Sequence, residues 1–243
     1  LGADARSPAV HAEPAFLRGL VEVQDEGSQL AALIAAVTPG EQVVDLCAGA
    51  GGKTLALAAA MRNQGQLYAA DSDKRRLAPI HARLERAGVR NVQVRTPRAG
   101  VDGLADIAGT ADCVVVDAPC TGSGSWRRNP DAKWRLRPNA LEMRNREQAA
   151  VLQRAAGLVK PDGRIVYITC SVLEAENGEQ VRAFLAASPD FAVVPPAETM
   201  SAALGELAPA FLNASVATRE GVLMTPRLTG TDGFFVSVLR RTR

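Results

Sequence analysis

The chain has 243 residues, 47% of them hydrophobic and 22% charged, with a formal net charge of +2. These values exclude a disordered, fibrous or strongly polyionic protein and fit one sizeable core with room for a small subdomain. No apolar stretch is long enough to span a bilayer and no charged start leads into a signal-peptide core, so a cytoplasmic location and no membrane partner are expected. The chain begins at Leu1, and Met61, Met143, Met200 and Met224 are all internal. An additional N-terminal region in a longer protein is therefore expected.

Residues 1–38 hold one amphipathic stretch, SQLAALIAAV at 28–37, preceded by VEVQDEG at 21–27. They read as a lid or subdomain ahead of a catalytic domain at 39–243. From there β-branched runs ending in turn residues alternate with amphipathic segments: QVVDLC (42–47), QLYAAD (66–71), VQVR (92–95), DCVVVDAP (112–119) and GRIVYITC (163–170). Helices are expected at 53–61, 73–88, 139–159 and 177–188, with Pro79 kinking the second or marking its first turn. The alternation predicts an α/β fold, a parallel sheet with helices on both faces. Residues 196–231, rich in Pro, Ala, Thr and Gly, read as a long surface excursion before a last, antiparallel strand at 233–241.

The turn DLCAGAGGKT at 45–54 admits two cofactors. Gly52-Lys53-Thr54 ends like a phosphate loop, but Cys47 stands where its leading glycine belongs. In the rival reading Cys47, Ala48, Gly49, Ala50, Gly51, Gly52 and Lys53 form a Rossmann-like loop for a dinucleotide or S-adenosylmethionine. That reading requires an acidic residue about 20 positions on to hold ribose hydroxyls, and Asp71 ends the second strand there. Asp45 in the first strand is costly to bury alone, and a cofactor ammonium group is a natural partner.

Cys47, Cys113, Cys120 and Cys170 lack paired metal-ligand spacing, and with only His11 and His81 to assist them no metal site is expected. Cys120 and Cys170 each follow a predicted parallel strand, in the polar turns DAPCTGSG and ITCS, where such sheets place their ligands.

VQDEGSQL, DLCAGAGGKT, AADSDKRRL, DAPCTGSGSWRRNPDAKW, ITCSVLEAENGEQV and TDGFF occur here in that order. In this the chain resembles the Sun/Fmu-type RNA (cytosine-5) methyltransferases over residues 20–241. The resemblance implies a class I methyltransferase fold with a mostly parallel seven-stranded sheet, S-adenosylmethionine as donor and RNA cytosine as acceptor. It implies that Cys170 attacks carbon 6 and that Cys120 assists release. Thiolate addition turns an unreactive carbon 5 into an enamine-like nucleophile, which is why the chemistry uses a cysteine. Lys53 is a candidate to favour the Cys170 thiolate, and Asp117 to hold the ring nitrogen and exocyclic amine as well as lying beside the cofactor.

One departure from the family pattern is the stretch VRTPRAGVDG at 94–103, where Thr96 or Pro97 stands near an aspartate that commonly contacts the adenine side, and Asp102 comes several residues later. Altered cofactor affinity is expected. The cluster WRRNPDAKWRLR at 126–137 holds Arg127, Arg128, Lys133, Arg135 and Arg137 against Asp131 alone, and is expected to bind RNA phosphates. Trp126 and Trp134 are equally suited to stacking on bases or anchoring the loop. Bacterial relatives with this arrangement favour small-subunit rRNA over tRNA, and a monomer is expected. The alternative within the same chemistry is DNA cytosine-5 methylation, and those from other classes are a catalytically silent RNA-binding module and a P-loop hydrolase with Asp117 on magnesium.

Overall fold

The computed structural model describes residues 9–242. The first eight residues of the predicted 1–38 lid lie outside them. A short helix α1 (Pro14–Leu17) leads to α2 (Glu26–Ile34), whose N-terminus is capped by Asp25 accepting from the Gly27 and Ser28 amides. Five strands then alternate with helices: β1 (Gln42–Asp45), α3 (Gly52–Ala60), β2 (Gln66–Ala70), α4 (Lys74–Leu77), α5 (Ile80–Arg86), β3 (Val92–Arg95), β4 (Ala111–Asp117), α6 (Ala140–Leu158) and β5 (Val159–Thr169). Pro79 splits the predicted helix at 73–88 into α4 and α5, because it has no amide to continue the ladder.

The remainder is α7 (Gly178–Ala187), β6 (Phe191–Val193), α8 (Pro196–Leu204), α9 (Ala208–Asn213), β7 (Val216–Ala217), β8 (Val222–Met224), α10 (Pro226–Thr229) and β9 (Phe234–Arg241). The strand order is β3-β2-β1-β4-β5-β9-β8-β7, with β6 paired to one end of β9. β1 to β5 are mutually parallel, and β9 runs antiparallel to β5. The last strand is antiparallel as expected, but the sheet has nine strands rather than seven. The two extra strands are short pieces on the antiparallel side.

That side also corrects the reading of residues 196–231 as a surface excursion. Its prolines stand in the first turns of α8, α9 and α10, where a missing amide costs nothing. Met200, Ala208, Val222 and Met224 are buried in the core.

Period-two alternation sorts the central strands between two layers. Val43, Cys113, Val115, Val166 and Ile168 face Ile34 of α2 and Leu57 of α3. Val44, Val114, Val116, Ile165 and Tyr167 face Leu152 and Leu158 of α6 and Phe184 of α7. Burial on both faces explains the uninterrupted apolar runs in β4 and β5. Parallel strands carry the carboxyl ends of β1, β2, β4 and β5 to one edge, and the predicted site residues lie there. Among the described residues no helix is long and apolar enough to cross a membrane.

Candidate active site

The turn from β1 into α3 is shaped by two left-handed glycines, Gly49 at φ 51° and Gly51 at φ 86°. A Cβ on Gly51 would sit 2.5 Å from the Ile80 side chain, so this turn tolerates no larger residue. The Gly49 amide donates to Asp71 Oδ2 at 2.9 Å, and the Asp73 amide donates to Asp71 Oδ1 at 2.9 Å. Asp73, not Asp71, caps α4. The Ala48 amide is held by the Ala70 carbonyl, and Arg83 donates to the Ala50 carbonyl. The loop of β1 is thus pinned to the end of β2.

Beside it lies a cavity of about 340 Å³ lined by Cys47, Asp71, Ser72, Pro119, Arg144 and Arg154, among others. Cys47 and Asp71 thereby share one cavity. Gly49, Ala50, Gly51 and Gly52 shape the turn rather than line that space. Burial pushes the Cys47 thiol far above its usual pKa, and Cys113 is pushed up to about 12 in the core. Arg144, Glu147, Val151 and Arg154 were not singled out in the sequence. Their spacing of three or four residues puts them on one face of α6, the signal that was there to be read. Asp102 reaches the same rim through Arg154, at 2.9 Å. Its carboxyl is held below the usual range by the Leu104 amide and by Arg154.

Asp45 is fully buried, and its Oδ2 accepts from Thr54 Oγ1 at 2.7 Å. Its Oδ1 has no hydrogen-bond partner. Burial, with help from Asp117 and Asp71 and against Thr54 and Lys53, pushes its pKa up to about 7. Lys53, also buried, donates to Asp117 Oδ2 at 2.8 Å and to Ser28 Oγ at 3.1 Å. Its ammonium lies 5.0 Å from the Phe234 ring centre.

At the ends of the adjacent strands β4 and β5, Cys120 Sγ and Cys170 Sγ are 3.3 Å apart. The Cys170 thiol is lowered first by the hydrogen bond from Cys120. Burial and Asp117 oppose this and Lys53 assists. The same bond raises Cys120, together with burial. The bond between the two sulfurs and the charge of Lys53 both favour a Cys170 thiolate. Cys170, Cys120, Asp117 and Lys53 form one cluster.

The basic residues do not. Arg128 grips the buried Asp232 through Nε, at 2.9 and 2.8 Å from its two oxygens, and Arg127 stands 3.6 Å from the same carboxylate. Both guanidinium groups thus have a partner inside the protein, 104 residues away for Arg128. Lys133 lies over the Trp134 ring at 4.9 Å, and Arg135 is 4.0 Å from Asp131, with both side chains of that pair strongly exposed. Trp126 is half-buried, whereas Trp134 is 79% exposed. Arg135 and Arg137 line a second cavity, of about 360 Å³, with Cys120, Thr121 and Arg144.

Gly124 seals this region. Its amide donates to the Cys170 carbonyl, its carbonyl accepts from the Gly233 amide, and a Cβ there would fall 2.1 Å from the Gly233 oxygen. Gly124→Ala is expected to cost about 3 kcal/mol of stability. Urea unfolding measures it.

The strand order, the antiparallel strand beside β5, and a glycine turn answered by an acidic residue at the end of β2 define a class I S-adenosylmethionine-dependent methyltransferase fold. A family model described as 16S rRNA methyltransferase RsmB/F matches residues 32–240, and the chain belongs to that family. It is 34% identical over 227 residues to the probable ribosomal RNA small subunit methyltransferase B of Bacillus subtilis (strain 168), covering 93% of this chain and 49% of that protein. The crystal structure of PH0851 superposes with a TM-score of 0.83 at 35% identity, covering 94% of this chain and 49% of that one. The structure of NSun6 from Pyrococcus horikoshii with SFG shares the fold, with a TM-score of 0.79 at 24% identity, 98% of this chain and 57% of that one. The chain thus spans about half the length of these relatives.

Proposed function

We propose that the protein methylates carbon 5 of a cytosine in RNA, with small-subunit rRNA favoured over tRNA, using S-adenosylmethionine and a covalent bond from Cys170 to carbon 6. The observation that carries this reading is the pair of thiols 3.3 Å apart at two strand ends, beside the glycine turn.

The residues present fit the cofactor. Asp45 Oδ1 is a buried acceptor lacking a donor, suited to an ammonium group, and the cavity holding Asp71 and Cys47 suits a ribose and its base. The turn from Cys47 to Lys53 would approach it by its backbone, and Asp117 would lie beside it. When bound, the cofactor supplies an electrophilic methyl group on sulfonium sulfur.

The chain's own groups do the rest. The Cys170 thiolate adds to carbon 6 and breaks the ring's 5,6 double bond, leaving electron density at carbon 5. Asp117 spends only Oδ2 on Lys53, so Oδ1 can accept from the exocyclic amine and a protonated ring nitrogen. Lys53 anchors that carboxylate, a positioning role beyond its field at Cys170. After methylation, carbon 5 must lose its proton and the bond to Cys170 must break, a step that Cys120 is placed to assist. Reaching carbon 6 requires the cytosine to leave its stack, which is cheapest in a loop or bulge.

For RNA contact Lys133, Arg135 and Arg137 are exposed, and Arg127 and Arg128 are about half exposed while sharing their charge with Asp232. Replacing Lys133 and Arg135 together by glutamine is expected to lower the slope of log affinity against log salt by about 1.4, the value for two single-strand phosphate contacts. Filter binding over a salt series gives this directly. An unchanged slope would remove both from the interface.

The function is tested by incubating the protein with labelled S-adenosylmethionine and either small-subunit rRNA or tRNA transcripts, then locating 5-methylcytosine by bisulfite sequencing. Modification of rRNA is expected. Modification of tRNA alone would move the substrate, and binding of magnesium ATP in place of the cofactor would overturn the reading.

A further inference from the structure

Neither thiol is held by the sheet. β4 ends at Asp117 and β5 at Thr169, so Cys120 and Cys170 project from turns that ladder hydrogen bonds do not reach. A sulfur–sulfur distance of 3.3 Å nevertheless needs both turns fixed. Beyond the bond from the Gly124 amide to the Cys170 carbonyl, two adjacent buried residues supply side-chain contacts to both turns.

Glu176 has no solvent exposure. Its carboxylate accepts from the Thr121 amide at 2.8 Å, from Thr121 Oγ1 at 2.6 Å and from Gln148 Nε2 at 3.2 Å. Gln148 Nε2 also donates to the Pro119 carbonyl at 2.9 Å. These bonds fall on the residues either side of Cys120. Burying a carboxylate is expensive unless donors surround it, and here the donors belong to the Cys120 turn or to its support on α6.

Asn177, 2% exposed, does the same for the other turn. Its Oδ1 accepts from Thr169 Oγ1 at 2.6 Å, and its Nδ2 donates to the Ser171 carbonyl at 3.0 Å. These residues flank Cys170. The dipeptide is itself pinned to β5, because the buried Tyr167 hydroxyl donates to the Glu176 carbonyl at 2.6 Å.

We propose that Glu176 and Asn177 are the positioning residues of the two thiols, Glu176 setting the Cys120 turn and Asn177 the Cys170 turn, so that sequence neighbours govern different halves of the reaction. This rests on the assignment of attack to Cys170 and release to Cys120. Neither side chain bonds to a sulfur, so each acts through the backbone it holds.

The experiment compares Glu176→Ala, Asn177→Ala and the milder partner variants Thr121→Val and Thr169→Val, which remove one hydroxyl from each set and keep side-chain volume. Attack is read as the rate of adduct formation with small-subunit rRNA transcripts containing 5-fluorocytosine, which cannot lose fluorine. Release is read as the persistence of the adduct on ordinary cytosine RNA. Misplacing a reacting group by about 1 Å costs up to about 100-fold, so a shift of about tenfold is expected from each partner variant. Thr169→Val and Asn177→Ala should slow attack, whereas Thr121→Val and Glu176→Ala should prolong the adduct. In all four the KM for S-adenosylmethionine should stay within about twofold, since only the step after binding is disturbed. Glu176→Gln should recover most of what Glu176→Ala loses, because its oxygen still accepts from the Thr121 amide and its amide can donate to Thr121 Oγ1.

If Glu176→Ala or Asn177→Ala does not fold, the two threonine variants decide. The same defect in both threonine variants, or no defect in either, overturns the proposal. Cys170→Ala and Cys120→Ala are run alongside. If the first still forms the adduct, or the second releases it at the normal rate, the underlying assignment has failed instead.

Discussion

Cys170→Ala is expected to reduce RNA methylation below about one-thousandth of the wild-type rate and to eliminate the covalent RNA adduct, whereas Cys120→Ala should still form the adduct and accumulate it. The asymmetry follows from the roles proposed for the two thiols, Cys170 attacking carbon 6 and Cys120 assisting release, and the Cys120 hydrogen bond favours the ionised form of Cys170. Removing Cys120 also removes that bond, so the surviving thiol should attack more slowly at neutral pH and recover as pH rises. Denaturing gel analysis of labelled RNA separates these outcomes. An adduct in Cys170→Ala and none in Cys120→Ala would exchange the two roles, as in the DNA cytosine-5 alternative.

Much of the sheet could be read from the chain because β1 to β5 are buried on both faces, and continuous apolar runs bounded by turn residues are a strong local signal. The 196–231 region could not. Its prolines suggest irregular chain until their places in first helical turns are known, and β7 and β8 have two and three residues. In the site, Asp71 was legible because strand, turn and helix lengths fix its distance along the chain from the glycines. Cys120 and Cys170 were legible because motifs mark strand ends. Contacts between distant segments were not: nothing local signals that Arg128, which stays about half exposed, is also held by a carboxylate 104 residues away. Glu176 and Asn177 lie inside the ITCSVLEAENGEQV stretch, but their work is to hold residues on two other segments. The expected electrostatic role of Lys53 toward Cys170 says nothing of its hydrogen bond to Asp117, a contact between segments 64 residues apart.

Asp45→Asn is expected to stabilise the protein without cofactor at pH 8 while weakening cofactor binding. The folded carboxyl keeps its proton up to about pH 7, but in the unfolded chain it loses it near 3.8. Between those values the native state binds more protons than the unfolded one, so stability falls as pH rises across the window. The whole shift corresponds to about 4 kcal/mol. Asparagine retains an oxygen to accept from Thr54 and brings no charge, though its amide protons must find acceptors, so a net gain of about 2 kcal/mol at pH 8 is expected. Thermal unfolding from pH 4 to pH 8 should therefore give a gradient in the wild type that the variant lacks. A cofactor ammonium group bound there, as proposed, would reverse the cost by giving the ionised carboxylate the partner that Oδ1 lacks. Binding of S-adenosylhomocysteine near pH 6 should then release a proton, detectable by calorimetry in buffers of different ionisation enthalpy, and its affinity should fall as pH falls through 7. Asp45→Asn should bind more weakly and without proton release. Equal stability of the two proteins across this range, or the same proton release in both, would show that Asp45 is not the group that trades stability for the cofactor.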